Sequence, residues 1–325
     1  MTIMLESLHR SRDVITPAMR AAIDRLDPTT RLQAAYHFGW VDADGRPDSG
    51  GGKAVRPALA LLSAQATGGP AEIGLPGAVA VELVHNFSLL HDDLMDQDRE
   101  RRHRGTVWAV WGSSSAILSG DALLGLAQEV LLDSGLPTAV PAALMLAQAT
   151  RELIRGQVQD VAFEQRDGVT VDECLDMAAG KTGALMSASA AIGAVLAGAP
   201  PATVHALETY GAQVGLSFQL VDDVLGIWGD PAVTGKPVFS DLRADKKSLP
   251  ISYALGEDPS IALIDPADVE KRADAIERAG GREWALAEAA RRMSLGEAAL
   301  AGIDLPEPVR AELIALGHFI VDREV

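Results

Sequence analysis

The chain has 325 residues, 48% of them hydrophobic and 4% aromatic, and its net charge is −17. The hydrophobic residues are mainly Ala, Leu and Val, which suffice for a sizeable core and favour helices over strands. Nucleic acid is excluded as a partner because so acidic a chain offers little basic surface to displace phosphate counterions. Charge-driven binding to anionic lipid is excluded for the same reason.

The cysteine content and the first residues bear on the cellular compartment. Cys174 is the only cysteine, which excludes a disulfide within the chain and is typical of a reducing environment. Residues Met1 to Arg12 lack the basic and then apolar order of a secretory signal. We therefore expect a cytoplasmic protein.

Helical periodicity runs through almost the whole sequence, without sustained two-residue alternation. Predicted helices lie near residues 13–36, 54–67, 74–98, 115–134, 137–165, 171–197, 203–229, 267–279, 282–300 and 306–321. Gly-rich and Pro-rich breaks separate them, but no long linker divides the chain. The pattern predicts an all-α fold in a single domain over residues 1–325.

A glycine run, Gly50 to Gly52, leads into the second predicted helix through Lys53 and Arg56. Backbone amides at such a helix start attract an anion, and the two cations add to that attraction. A plain flexible connector is the alternative interpretation. We favour an anion-binding loop.

The first acidic cluster, His91 to Asp96, ends a long apolar helical stretch. Asp92 and Asp96 are four residues apart and share one helix face, whereas Asp93 points about 100° away. Carboxylates beside apolar residues are costly unless cations neutralise them, and oxygen ligands without His or Cys suit Mg²⁺. The alternative is a solvated helix end.

Basic residues follow this cluster, and a histidine precedes it. Arg99, Arg101, Arg102 and Arg104 are placed to hold an anion, for which diphosphate is the natural candidate. His85 lies two turns before Asp92 and is a candidate hydrogen-bond donor to the same anion, or else an ordinary core histidine.

An uncharged stretch, Gly183 to Pro200, is the one transmembrane candidate in the sequence. Its Ala, Gly and Ser content inserts poorly into lipid, so we expect a buried helix and no transmembrane span.

The second acidic cluster, Asp222 and Asp223, ends another apolar stretch and is followed by Lys236, Lys246 and Lys247. The chain has only six lysines, and five of them lie in segments suspected on other grounds. A compact ammonium acts as a point charge on phosphate. The sequence therefore predicts Mg²⁺-diphosphate chemistry.

Taken in order, these motifs resemble the trans-isoprenyl diphosphate synthases, the family of farnesyl and geranylgeranyl diphosphate synthases. The matching segments are Gly52 to Pro57, Asp92 to Asp96, Arg101-Arg102, Lys181-Thr182, Gln219, Asp222-Asp223, Gly235-Lys236, and Asp241 with Lys246. The resemblance implies a single-domain bundle of about ten or more helices around a central apolar cavity, of the isoprenoid synthase type. It also implies a homodimer.

The resemblance assigns roles position by position. Asp92, Asp96 and Asp222 would hold three Mg²⁺ ions around an allylic diphosphate, with Asp93 and Asp223 in support. Isopentenyl diphosphate would bind to Lys53, Arg56, His85 and Arg102, and the allylic diphosphate to Arg101, Lys181 and Lys236, with Lys246 also on the substrate. Thr182 and Gln219 would turn their dipoles toward the developing allylic cation.

Two positions depart from the family pattern. Gly226 stands where the second motif usually has a third aspartate, which puts metal affinity there in question and leaves open whether Asp230 compensates. His103 to Thr106 replaces a more usual Gly, basic residue, Pro and Thr, a change that affects loop stiffness more than charge.

Product length depends on what blocks the cavity below the first motif. Phe87 and Ser88 lie about one turn before Asp92. An aromatic residue at this position resembles the enzymes that make geranylgeranyl diphosphate, which we therefore expect as the product, with farnesyl diphosphate as the alternative.

Two other classes stay open. A class I terpene cyclase also uses an aspartate-rich motif with Mg²⁺, but it needs no second set of diphosphate cations such as Lys53, Arg56 and Arg102. A regulatory subunit without activity is the third interpretation, against which the intact first motif argues.

Overall fold

The computed structural model describes residues 2–48, 50, 52, 54–231 and 237–321. Its α-helices are α1 (Thr2–Ile23), α2 (Pro28–His37), α3 (Val55–Ala64), α4 (Leu75–Met95), α5 (Val107–Trp111), α6 (Ser113–Leu132), α7 (Ala139–Phe163), α8 (Val171–Ala178), α9 (Ala184–Leu196), α10 (Pro201–Trp228), α11 (Ser240–Arg243), α12 (Leu249–Glu257), α13 (Val269–Arg278), α14 (Gly281–Ala301) and α15 (Glu307–Val321). The predicted all-α fold is confirmed.

In the ranges that the structure describes, one short hairpin interrupts the helices. Strands β1 (Glu100–Arg101) and β2 (Arg104–Gly105) pair antiparallel, with Arg101 opposite Arg104. Arg102 and His103 form the turn and both have positive φ, 53° and 61°. Such values suit a two-residue hairpin turn, which projects the Arg102 side chain from the tip.

The predicted helix over residues 13–36 is wrong as one element, because the structure has two helices there. α1 ends at Ile23, and α2 begins at Pro28. The Asp27 carboxylate accepts hydrogen bonds from the backbone N–H groups of Thr29 and Thr30, and Pro28 occupies the first helical turn. Asp followed by Pro is a strong helix start, so local capping overrides the continuous periodicity.

The chain divides into two compact units. The first comprises Met1–Gln148, Ala188–Val204 and Leu305–Leu313, and the second comprises Ala149–Ser187, His205–Asp304 and Ile314–Val325. The prediction of one domain over residues 1–325 stays a prediction.

Helix α4 is central to the core of the first unit. Its residues Ala78 to Val84 are almost entirely buried apart from Glu82. α9 packs against α3 at Gly193, where an added Cβ would overlap the Ala60 carbonyl. Small residues therefore let helix backbones approach closely in this core.

Helix α10 is central to the core of the second unit. Tyr210, Leu220 and Val224 have no exposed surface. The buried Ser217 hydroxyl donates a hydrogen bond of 2.9 Å to the Ala289 carbonyl of α14. α10 therefore reaches the acidic motif near its end on a rigid, packed backbone.

Within the described part of the chain, three helical stretches are long and apolar enough to cross a membrane: Ala71–Met95, Ser113–Leu132 and Val171–Leu196. The interpretation of residues 183–200 as the one candidate is therefore wrong. The apolar windows of the first and third stretches are 61% and 67% buried inside the protein, as expected of core helices. The window of the second is only 39% buried. The absence of a transmembrane span stays a prediction.

Candidate active site

The first acidic motif occupies the last turn of α4. Asp92 is half-buried, and the Asp92 carbonyl accepts the backbone N–H of Asp96 at 2.8 Å, so the helical geometry extends across the motif. The negative end of the helix dipole lies here, which makes ionised carboxylates unfavourable without cations nearby.

Asp93 and Arg101 form a buried ion pair in this unit. The Asp93 side chain is 2% exposed, and its Oδ1 lies 2.7 Å from Arg101 Nε and 2.6 Å from Nη2. Burial raises the pKa of Asp93, and the Arg101 charge opposes that shift. The β-hairpin therefore serves to bring a guanidinium back onto the end of α4.

Cations also gather at the glycine-rich loop. An added Cβ at Gly52 would lie 3.5 Å from the Arg102 guanidinium, and the Gly52 carbonyl accepts a hydrogen bond of 2.6 Å from Arg12. The buried Nε of Arg56 makes no hydrogen bond within the described residues. Lys53 lies outside them. Arg56 therefore has an N–H donor available for an anion, while the Glu82 carboxylate offsets part of the positive charge of Arg56 and Arg102.

His85 lies close enough to these cations to feel their charges, and it carries no charge near neutral pH. Burial and the charges of Arg56 and Arg102 lower the pKa of His85 well below its usual 6.5. A neutral imidazole retains one N–H donor, the state expected for hydrogen bonding to a phosphate oxygen.

A cavity of about 290 Å³ adjoins this cluster and contains a residue that the sequence interpretation missed. His37, at the end of α2, lines the cavity together with Asp93, Arg101, Arg102 and Arg104. Burial and the neighbouring arginines lower the pKa of His37 to about 3. No local pattern marks His37, because tertiary packing alone brings α2 to the hairpin.

The residues predicted to control product length are tightly packed. Phe87 is 5% exposed, and its ring meets the His91 ring edge-on at 4.9 Å. The His91 ring occupies the space beside Gly120 of α6, where an added Cβ would overlap it, and its Nε2 lies 3.1 Å from the Ile117 carbonyl. Ser88 donates to the His85 carbonyl at 2.8 Å. His91 therefore packs against α6 and supports Phe87.

In the second unit, Lys181 and Thr182 lie in a π-helical turn, Ala179–Gly183, between α8 and α9. π-turns inside helices are frequent at functional sites. Lys181 Nζ lies 2.6 Å from the Asp160 carboxylate, and Thr182 donates a hydrogen bond of 2.7 Å to Gln219 Oε1. The sequence interpretation gave Asp160 no role, although Asp160 lies four residues after Gly156 in the same predicted helix.

The second acidic motif is the centre of a hydrogen-bond network. Gln219 Nε2 and the backbone N–H of Leu249 donate to the two Asp223 oxygens at 2.8 and 2.9 Å, and Lys246 Nζ lies 3.6 Å from Oδ1. Burial raises the pKa of Asp223 to about 6, against the opposing charge of Lys246. Asp222 is half-buried. Lys236 lies outside the described residues.

The donor set fits Mg²⁺ held jointly with a phosphate ligand. Among the described residues, no group of three or more His, Cys, Asp or Glu side chains is arranged to hold a metal ion. Mg²⁺ is usually bound through one or two carboxylates together with water and substrate phosphates rather than by an all-protein cage. Asp92 with Asp96, and Asp222 at the other motif, match that requirement.

Comparison with known proteins gives a consistent picture. The sequence model of the polyprenyl synthetase family matches residues 48–278. A (2E,6E)-farnesyl diphosphate synthase of Mycobacterium tuberculosis is 51% identical, with 98% of this chain and 93% of that protein covered. A geranylgeranyl diphosphate synthase of the same organism is 43% identical at the same coverage. A crystal structure of a polyprenyl synthetase from Streptomyces coelicolor superposes with a TM-score of 0.94 and 52% identity, covering 98% of this chain and 99% of that one.

The π-turn that carries Lys181 depends on a close backbone approach, which a single methyl group would disturb. An added Cβ at Gly156 of α7 would overlap Lys181 N and lie 2.8 Å from the Gly180 carbonyl carbon. We expect Gly156→Ala to lower the free energy of unfolding by about 1–3 kcal/mol, the usual cost of overpacking. Urea titration measures this change, and a crystal structure would show the Lys181–Asp160 distance lengthened.

Gly256→Ala is the matched control, because an added Cβ there meets nothing within 4 Å. It should leave stability unchanged or raise it by about 0.5–1 kcal/mol through helix propensity. Equal effects of the two substitutions would contradict the close approach.

Proposed function

Because this chain belongs to the polyprenyl synthetase family and is an enzyme of the trans-prenyl diphosphate synthase class, we propose that it makes farnesyl diphosphate. It joins isopentenyl diphosphate to an allylic diphosphate, either dimethylallyl or geranyl, in the cytoplasm. The family, the enzyme class and the all-α isoprenoid synthase fold predicted from the sequence are confirmed by the relatives and by the superposition.

The observation that carries the proposal is the cationic cluster at the glycine-rich loop. The charges of Arg56 and Arg102 act on the neutral His85, and the Arg102 guanidinium lies beside Gly52, in addition to the cations at the acidic motifs. A synthase needs to bind two diphosphates, whereas a cyclase needs only one. This second cluster therefore favours a condensing enzyme over a terpene cyclase, and it serves as the site for isopentenyl diphosphate.

The allylic diphosphate binds at the acidic motifs. Asp92, Asp96 and Asp222 are the proposed Mg²⁺ ligands. When bound, the ions neutralise the diphosphate so that it leaves as a stabilised anion. Arg101, Lys181 and Lys236 add fixed positive charge to the same leaving group.

The chain also orients dipoles toward the developing allylic cation. The Thr182 hydroxyl donates to Gln219 Oε1, so its oxygen lone pairs stay available to face positive charge. Gln219 in turn donates to Asp223, which fixes the orientation of its amide. Dipoles fixed in advance require no reorganisation during the reaction. The double bond of isopentenyl diphosphate then attacks the cation, and the departing diphosphate takes up the released proton.

The proposed product differs from the geranylgeranyl diphosphate expected from the sequence. Identity to the farnesyl diphosphate synthase, 51%, exceeds that to the geranylgeranyl enzyme, 43%. Packing at Phe87 agrees with a short product, because His91 supports its ring from one side and α6 in turn supports His91. A fixed aromatic side chain one turn below Asp92 limits how far a growing chain extends.

The decisive experiment incubates the enzyme with Mg²⁺, isopentenyl diphosphate and dimethylallyl or geranyl diphosphate, and then separates the dephosphorylated products by chromatography. Farnesol should dominate with both primers. Hydrocarbon formed from the allylic diphosphate alone would favour a cyclase. No turnover under any of these conditions would favour a regulatory subunit.

Phe87→Ala should lengthen the product, because it opens space below the first motif. We expect the main product to shift from C15 to C20 or longer, measured by the same chromatography. Phe163→Ala is the control, since Phe163 is similarly buried but lies at the end of α7 in the second unit. An unchanged product distribution in Phe87→Ala would remove this residue from the control of chain length.

We further propose a homodimer, formed through α7. An exposed apolar stripe follows this helix at intervals of three, four and seven residues, through Val140, Leu144, Ala147, Ile154, Val158 and Val161. That spacing is typical of a helix face packed against another helix. Leu118 of α6 is also 64% exposed.

Leu144→Glu should convert the dimer to a monomer, because it places a charge within the apolar stripe. Light scattering coupled to size exclusion measures the mass. Leu263→Glu is the control, since Leu263 is 87% exposed but lies outside the stripe. A dimer that persists in Leu144→Glu would place the interface elsewhere.

A further inference from the structure

Arg104 of β2 makes three kinds of contact with other parts of the chain. Its Nη2 donates a hydrogen bond of 2.6 Å to the Val41 carbonyl, and its Nη1 lies 3.6 Å from Asp48 Oδ2. The guanidinium also lies over the Tyr36 ring, 4.4 Å from the ring centroid. The Arg104 side chain is only 24% exposed. The sequence predicts that Arg104 holds an anion, whereas these contacts direct its charge to the protein itself.

Val41 and Asp48 belong to the connecting segment between α2 and α3, which doubles back on itself. Val41 and Pro47 form an isolated antiparallel bridge, and the Asp48 backbone N–H donates to the Trp40 carbonyl at 2.9 Å. Arg104 contacts both arms of this segment. Because an arginine fork binds two acceptors and stacks on an aromatic ring at the same time, it fixes the connecting segment against β2.

The connecting segment in turn holds the start of the glycine-rich loop. The Gly50 backbone N–H donates to the Gly39 carbonyl at 2.9 Å. A Cβ added at Gly39 would lie 3.0 Å from Gly50 Cα and 3.1 Å from Arg104 Nη1, and Gly39 has a positive φ of 76°. Arg104 therefore packs where the connecting segment and the glycine-rich loop meet, and glycine at position 39 permits that close approach.

The hairpin that carries Arg104 also carries Arg102, which lies in its turn. The Arg102 guanidinium lies 3.5 Å from the position that a Cβ added at Gly52 would take. The Tyr36 hydroxyl donates a hydrogen bond of 2.8 Å to the Gly105 carbonyl, which fixes β2 to α2 as well. The loop and the hairpin therefore meet at Gly52 and, through the connecting segment, at Arg104.

We propose that Arg104 is a positioning residue for isopentenyl diphosphate, which sets the spacing between the glycine-rich loop and Arg102. The inference rests on the proposed function, because it takes the loop and Arg102 as two sides of that diphosphate site. These two sides belong to separate segments, so an error in their spacing would weaken the hydrogen bonds to the phosphate oxygens. An arginine held by several groups of the protein fixes that spacing before the substrate arrives.

Steady-state kinetics with geranyl diphosphate and isopentenyl diphosphate test this role. Arg104→Lys keeps the positive charge but lacks the planar fork, and Arg104→Gln removes the charge as well. We expect both substitutions to raise the KM for isopentenyl diphosphate by about tenfold, the order produced by losing a hydrogen bond from a charged donor. The KM for geranyl diphosphate should keep its wild-type value, because that substrate binds at the acidic motifs.

Arg292→Gln is the matched control. The Arg292 side chain is 18% exposed, and its Nε donates a hydrogen bond of 2.6 Å to Glu288 Oε1 on the same helix of the second unit. Its replacement also removes a partly buried ion pair, but one without contact to the connecting segment. Both KM values should therefore stay at the wild-type level.

The alternatives give different results. A normal KM for isopentenyl diphosphate in Arg104→Lys, with a raised KM in Arg104→Gln, would show that charge alone matters and would overturn the positioning role. An equal rise in both KM values, or a fall in kcat alone, would show a general structural defect and overturn it too. A wild-type protein without turnover would overturn the proposed function, whereas wild-type turnover with unchanged KM values in both variants would overturn this inference alone.

Discussion

Both acidic motifs depend on neutralising negative charge that is buried near the end of an apolar helix. A buried carboxylate without a partner costs several kcal/mol, so a cation of the chain that reaches it stabilises the fold. A hairpin returns Arg101 to Asp93 in the first unit. A loop after α11 returns Lys246 to Asp223 in the second. These connections are therefore structural requirements before they are parts of an active site.

The same constraint gives the two aspartates of each pair different environments. Adjacent residues on a helix point about 100° apart, so one member faces the core while the other faces outward. Asp93 and Asp223 are buried and held by a cation of the chain, whereas Asp92 and Asp222 are half-buried. The outward member suits a metal and its diphosphate. The inward member orients the cations and amides around them, and the network from Asp223 to Gln219 is an example.

Local patterns predicted the helices that carry the acidic motifs because their apolar periodicity is long and uninterrupted. The helices predicted over residues 74–98 and 203–229 correspond to the observed helices Leu75–Met95 and Pro201–Trp228. The helix break before Pro28 had a local signal, the Asp27 cap followed by proline, but the continuous apolar periodicity obscured it. His37 had none, since it joins the cavity through packing between elements distant in sequence. The product length was also out of reach, because on the proposed function it depends on the packing of His91 behind Phe87 as well as on Phe87 itself.

In each unit, a glycine makes room for a group that holds a functional residue in place. At Gly120, Gly156 and Gly226, part of another element fills the space that a Cβ would occupy. The element that fills it is the His91 ring, the backbone of Lys181 or the Asp241 carboxylate. A side chain or backbone held in such a space has few alternative positions, so the dipoles and charges of the site are fixed before substrate arrives. Glycine therefore contributes at these three positions through close approach rather than flexibility, and alanine, usually a mild replacement in a helix, would require the neighbouring group to shift.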